Sequence, residues 1–453
     1  MVKDLTVGKP GSVMLKYCLP LFASVIFQQL YNLADSVVAG QFLGEEALAA
    51  VGNGFETTQI FIAFALGCNI GCSVIISNYF GAKRIRDMRT AVNTSLIING
   101  VLCAAMMIIG LVFAVPIMRL INTPENIIEA SAAYLRIYIW NLPFVFFYNA
   151  ATGVFSALGD SRTPFLFLSI SSLANIGMDV LFVTKFRSAF GYGVEGVAWA
   201  TFICQGVSAV LAVIFMFRRI STISTEEKPA LFSRSVCKEI TKIAIPSILQ
   251  QVLLAVGNVF VESVVNTFGS SVVAGFSAVF KLSGFIILPI VTFGNGVSYF
   301  TSQNLGAGKP ERIKQGCRSG ILIAIALSLP IMCLFFFCWE PILRIFLNNS
   351  SAEAMETGRI YIRAVSPCYF ILACTIAISG VLRGIKKMRA FLISTFSDLI
   401  VRTICCYVLA SPLGILGISI SWPIGWIAGL AVALIAFLRI NWKTLGIKPT
   451  KAA

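Results

Sequence analysis

Acidic side chains are scarce in the apolar runs of this chain, and the few present are the groups best placed to do chemistry. Asp35 lies in the stretch 20–52, where Gln28, Asn32 and Asp35 recur at helical spacing and share one face. Asn175 and Asp179 stand four residues apart in a later run, so they too leave one helix face, and Thr201 lies in the run after it. Oxygen-bearing side chains of this kind can ligate a small cation such as Na⁺. Two neighbouring carboxylates also repel, which raises one pKa and makes H⁺ an alternative occupant. If the helices that carry them pack together, Asp35, Asn175, Asp179 and Thr201 form a candidate cation site for which Na⁺ and H⁺ compete. An acid at mid-helix costs about 2.5–3.5 kcal/mol to insert into a bilayer, so its face must look into protein or water.

The second half of the chain carries a looser version. Gln251, Asn258 and Glu262 share a helical face, with Glu262 near the outer end of its run, as a functional acid or as a solvated interfacial one. Glu56 and Lys281 stand 225 apart at equivalent positions of the two halves. They are candidates for coupling or gating, either as an ion pair across a central cleft or as separate lining residues. Asp398 and Arg402, at i and i+4, are expected to neutralise each other. Pro20 lies fifteen residues before Asp35 on the same helix and frees a backbone carbonyl there, so ion binding can be coupled to bending. Gln28, Tyr31, Asn32, Tyr138, Tyr148, Asn258 and Glu262 are the candidates for a substrate cavity.

Those groups sit in a chain of 453 residues that is 57% hydrophobic and 12% charged, where a soluble protein is about a quarter charged. Histidine is absent, which removes Ser-His and Cys-His nucleophile pairs, HExxH zinc sites and His-ligated haem together. Thirteen cysteines lie mostly within apolar runs and form no CxxC pair, so they read as reduced thiols. An enzyme is not expected, nor a cofactor beyond Na⁺ or H⁺ as coupling ion.

Twelve apolar runs are long enough to cross a bilayer, at about 13–39, 47–79, 91–116, 130–157, 164–184, 194–217, 242–265, 272–304, 318–339, 358–382, 390–410 and 413–438. Basic residues fall overwhelmingly in alternate connections, such as Lys83, Arg84, Arg86 and Arg89 or Arg383, Lys386, Lys387 and Arg389. The other set holds Arg119, Lys185, Arg187, Arg344 and Arg359. This asymmetry puts both termini in the cytoplasm of a cell-membrane protein. The net charge of +15 then reports topology and contact with anionic lipid, with no nucleic-acid partner expected.

The longest polar stretch, 219–241, divides the chain into lobes at 1–218 and 242–439, followed by a tail at 440–453. The lobes repeat each other. Pro20 recurs as Pro246, Asp35-Ser-Val-Val as Glu262-Ser-Val-Val, and Phe-Gly-Ala at 80–82 as Leu-Gly-Ala at 305–307. Gly-Val-Glu-Gly at 193–196 answers Gly-Ile-Leu-Gly at 414–417. The fold class is therefore an all-α polytopic membrane protein of twelve transmembrane helices in two pseudo-symmetric six-helix lobes. Such a duplication is the ordinary machinery of secondary transport.

DSVVAGQFLGEEALAAVG at 35–52, YFGAKR at 79–84, ALGDSRTP at 157–164, NIGMDVLF at 175–182, GVEGVAWAT at 193–201 and GVLRG at 380–384 together resemble the MATE (multidrug and toxic compound extrusion) transporters. The resemblance covers essentially the full length. It implies export of bulky, often cationic small molecules by antiport against inward Na⁺ or H⁺. It also implies a cation site in the first lobe at Asp35, Asn175, Asp179 and Thr201, and a bending first helix at Pro20. Residues 358–382 contain no acid, which makes the chain more similar to the DinF-like branch than to the NorM-like one. A monomer is expected. The alternatives are a lipid-linked oligosaccharide flippase of the same superfamily and a twelve-helix transporter of another family. The major-facilitator pattern Gly-x-x-x-Asp-Arg is replaced here by Gly81-Ala-Lys-Arg-Ile-Arg.

Overall fold

The computed structural model describes residues 4–43, 45–120, 125–182, 194–223, 225, 227–344, 347, 351–442 and 445; at 30–43, 45–57, 120, 125–127, 130, 194–198 and 327 it describes the backbone alone. Among the described residues the chain is helical from end to end. The first half holds α1 (Pro10–Leu43), α2 (Glu45–Gly81), α3 (Ile85–Leu120), α4 (Glu125–Ala157), α5 (Arg162–Leu181) and α6 (Val194–Ser221). The second holds α7 (Arg234–Asn266), α8 (Ser270–Gly306), α9 (Pro310–Phe337), the short α10 (Trp339–Arg344), α11 (Ala352–Val365), α12 (Tyr369–Gly384), α13 (Met388–Leu413) and α14 (Ile415–Leu438).

Eleven crossings are long and apolar enough to span a bilayer by the described residues alone. Helix α4, at 33 residues, contains the twelfth expected run, 130–157. Helices α11 and α12 make a single crossing, Ala352–Gly384, interrupted by a 3₁₀ turn at Ser366–Cys368. Pro367 explains the interruption, because it has no N–H to offer an α-helical ladder.

The packing divides the chain into two compact units. One comprises Ala23–Phe80 and Arg84–Ile248, and the other Asp4–Phe22, Gly81–Lys83 and Leu249–Ala453. The divisions cut α1 just past Pro20 and α7 just past Pro246, so each unit takes the opening turns of one helix from the other half of the sequence. Within the first unit, α7 enters against bare backbone of α2. A Cβ on Gly67 would lie 2.5 Å from the Ile248 backbone, and one on Gly71 would lie 2.7 Å from Ala244. Only glycine permits that approach. Within the second unit, the N-terminal arm is tied to the α8–α9 corner. The Leu5 amide donates to Gln303 Oε1 at 3.0 Å, Lys309 Nζ to the Thr6 carbonyl at 3.0 Å, and Arg312 Nη1 to the Gly8 carbonyl at 2.7 Å.

The repeat is written in backbone conformation as well as in sequence. Lys83 and Gly308, 225 apart, both take positive φ (59° and 66°) directly after a helix. Gly159 and Lys386, 227 apart, do the same (77° and 64°). Each is a left-handed helix terminus whose following amides bond back to the last turn: Arg84 N to Tyr79 O, Lys309 N to Asn304 O, Asp160 N to Phe155 O and Lys387 N to Leu382 O, all between 2.8 and 3.0 Å.

Candidate functional site

Helix α5 is sorted into two faces. Leu166, Ile170 and Leu173 are exposed on one, while Ser172, Asn175 and Asp179 are buried on the other. A bilayer-spanning helix sorts this way because lipid accepts the leucines and charges for every polar group it meets. Asn175 is 3% exposed and Asp179 is 0% exposed. Both amide atoms of Asn175 find no hydrogen-bond partner among the described residues, so its carbonyl oxygen is available as a ligand. Across the contact with α6, Ser171 Oγ donates to the Cys204 carbonyl at 3.4 Å. In antiparallel register, Thr201 on α6 then stands level with Asn175, and its side chain is half-buried. The chemistry of this set suits a small hard cation, which takes carboxylate, amide and hydroxyl oxygens.

The structure therefore brings Asn175, Asp179 and Thr201 to one helix pair of the first unit. Asp35 is on α1, but its side chain lies outside the described residues, as do those of Tyr31, Asn32 and Glu56. Among the other candidates, Tyr138, Tyr148 and Asn258 are half-buried, with Tyr138 stacked on Tyr134 at 6.5 Å. Gln28, Glu262 and Lys281 are exposed.

The turn that launches α5 explains the ALGDSRTP sequence. Gly159 supplies the positive φ, and Asp160 caps the helix by accepting from Thr163 N at 3.2 Å and Thr163 Oγ1 at 2.9 Å. The same carboxylate accepts from Arg219 Nη2 at 2.9 Å, tying the start of α5 to the end of α6. Burial alone would raise the Asp160 pKa, but hydrogen bonds from Arg219 and Thr163 outweigh it and hold the group below its ordinary value.

The second unit departs from the sequence expectation in two places. Asp398 and Arg402 do not neutralise each other by direct pairing, although they are one turn apart on α13. Asp398 Oδ1 is directed at α14, where a Cβ on Gly425 would approach it to 2.6 Å. The Arg402 guanidinium instead lies over the Trp422 ring, with Cζ 4.2 Å from the centroid. The aromatic face of α14 outcompetes an i,i+4 contact, and sequence spacing on α13 alone carries no sign of that face. Arg383, grouped above with the basic loop residues, is 6% exposed. It donates to Asn295 Oδ1 at 2.6 Å and Ser298 Oγ at 3.4 Å, under the ring of Phe391.

Sequence reasoning also passed over Asn141 on α4, which is 2% exposed and has both amide atoms without a partner among the described residues. Its signal was a lone amide two residues before Pro143 in an apolar run.

Comparison with known proteins agrees with this architecture. The family described as MatE matches residues 20–181 and again 246–408, one match in each half. The chain is 27% identical to the probable multidrug resistance protein YoeA of Bacillus subtilis (strain 168), over 94% of this chain and 93% of that one. It is 22% identical to a protein of Shewanella oneidensis named FAD transporter, over 91% of each. A solved structure described as the outward-facing conformation of a multidrug resistance MATE family transporter superposes with a TM-score of 0.88 over 98% of both chains, at 24% identity. The double match, the full-length relatives and the twelve-crossing fold lead to one conclusion: this multi-pass membrane protein belongs to the MATE family.

Proposed function

We propose that the chain is a secondary active antiporter that exports bulky, often cationic drugs or toxic metabolites in exchange for inward Na⁺ or H⁺. The observation that carries the reading is the buried Asn175–Asp179 face of α5, where the Asn175 amide oxygen has no partner among the described residues. Asp35 and Thr201 complete the cation site in this proposal, and Pro20 lets α1 bend in response. Ion binding at the acids on the outward-facing form displaces the drug and releases it outside. Relatives named as multidrug resistance proteins support the substrate class, and the lack of an acid in 358–382 supports ion coupling that rests on the first lobe.

Energetics bound the stoichiometry. One charge moving down about 100 mV is worth about 2.3 kcal/mol. Exchanging one monovalent ion for one monovalent cationic drug cancels that term and leaves only the ion's concentration gradient. A neutral drug, or two ions per drug, recovers the voltage. Coupling is tested with Asp35→Asn. In cells that express wild type and variant at equal levels, the wild type keeps ethidium out and the variant accumulates it as fast as cells lacking the protein. Unchanged exclusion by the variant rejects the assignment.

A further inference from the structure

The second unit carries a buried set of hydrogen-bond donors that the cation site does not use. Arg402 on α13 is 2% exposed and Trp422 on α14 is 4% exposed. Arg402 Nε, Arg402 Nη2 and Trp422 Nε1 find no hydrogen-bond partner among the described residues. Buried N–H groups left unmatched are destabilising, and charged ones more so. Arg402 Cζ lies 4.2 Å from the centroid of the Trp422 ring, and the Phe280 ring meets that ring in a tilted contact at 5.9 Å. Phe276 and Tyr361 continue the aromatic wall, at 6.2 and 5.4 Å between successive ring centroids. A Cβ on Gly257 of α7 would come 3.1 Å from Arg402 Nη2, so a glycine is what lets that helix pass beside the donor. Asp398 does not satisfy these donors, because its free oxygen is turned to Gly425.

This cluster occupies a telling place in the repeat. At the offset of 227 set by Gly159 and Lys386, at the turns that launch α5 and α13, Asn175 maps onto Arg402 and Asp179 onto Cys406. The buried polar face recurs in the second half, with a guanidinium where the first half has an amide.

We propose that Arg402 and Trp422 form an anion-accepting subsite in the second unit that takes the carboxylate of an aromatic, amphipathic compound. A carboxylate offers several in-plane lone pairs to a guanidinium fork and a neighbouring indole N–H, and the Phe280–Phe276–Tyr361 wall accepts the ring that carries it. A single water accepts two hydrogen bonds at most and cannot match three donors. The inference rests on the drug-export reading and assigns the groups that receive a substrate's carboxylate.

The test is direct binding to the purified full-length chain in detergent, by equilibrium dialysis, of a fluoroquinolone and of its ethyl ester. Wild type is expected to prefer the acid by about tenfold or more, as hydrogen bonds to a charged group imply. Trp422→Phe keeps the ring and removes one donor, and Arg402→Lys keeps the charge and removes the fork. Arg402→Lys loses most of the acid-over-ester preference, and Trp422→Phe lowers it by a factor of a few. If Arg402→Lys does not fold, Trp422→Phe decides alone. Equal binding of acid and ester by wild type overturns the subsite and leaves the drug-export reading standing. A preference undiminished in Trp422→Phe overturns it too. Binding of neither compound overturns the subsite as well, and the drug-export reading is decided separately by the ethidium measurement.

Discussion

Helices α5 and α13 hold the same place in the two halves of the repeat, yet they bury opposite chemistry. The first turns an amide and an acid inward, Asn175 and Asp179; the second turns inward a guanidinium that rests on an indole, Arg402 on Trp422. Their partners differ to match. Helix α6 offers backbone to α5 through the Cys204 carbonyl, whereas α14 offers the Trp422 ring to Arg402 of α13. Duplication fixes where a polar group can be buried, because burial follows from helix packing. It does not fix the sign of the charge, which depends only on the few atoms nearby. A transporter built this way can specialise one copy for the ion and leave the other free for a different task.

The sharpest way to break the comparison is to impose the second unit's charge on the first. Asp179→Arg places a cation where the account puts an ion site, so drug export in whole cells falls to the level of cells lacking the protein. Removal of one neutral ligand is milder. Asn175→Ala lowers apparent ion affinity by about tenfold, measured as the Na⁺ or H⁺ concentration at half-maximal export, since one ligand to a charged species is worth about 1.5–3 kcal/mol.

A third substitution probes how the same turn is held in the two halves. The α4–α5 turn is pinned by the buried Asp160–Arg219 contact, whereas the α12–α13 turn has Arg383 bound to Asn295 nearby. Asp160→Asn costs about 2 kcal/mol, seen as a lower thermal midpoint in detergent. The sign of its pH dependence follows from the lowered Asp160 pKa. The stabilisation is fully present above the unfolded aspartate value of about 4 and is lost as pH falls through the lower folded value. The gap between wild type and Asp160→Asn therefore closes below about pH 4. Gly67→Ala, whose methyl must displace the Ile248 backbone, costs about 1–3 kcal/mol of stability.

Much of the fold was legible because membrane helices announce themselves by apolar length. The α5 face was legible for the same reason: Asn175 and Asp179 are expensive in lipid, and their spacing set them on one side. The pairing of Asp398 with Arg402 was misjudged, because i,i+4 spacing identifies neighbours on a helix and not the ring on the next helix that competes for the guanidinium. Arg383 was misplaced because it stands one residue before a glycine and a basic loop, and charge counting cannot see that α8 brings Asn295 and Ser298 to it. Asn141 went unnoticed because a lone amide costs little in a transfer scale and carries no periodic partner.

The central claim is that export is driven by an ion bound at Asp179. It is tested most directly by ethidium export from proteoliposomes under separately imposed Na⁺ and pH gradients, comparing wild type with Asp179→Asn. The account predicts that wild-type export rises with one of the two gradients and that the variant responds to neither. Export by the variant that still follows the gradient, or wild-type export indifferent to both, would contradict it.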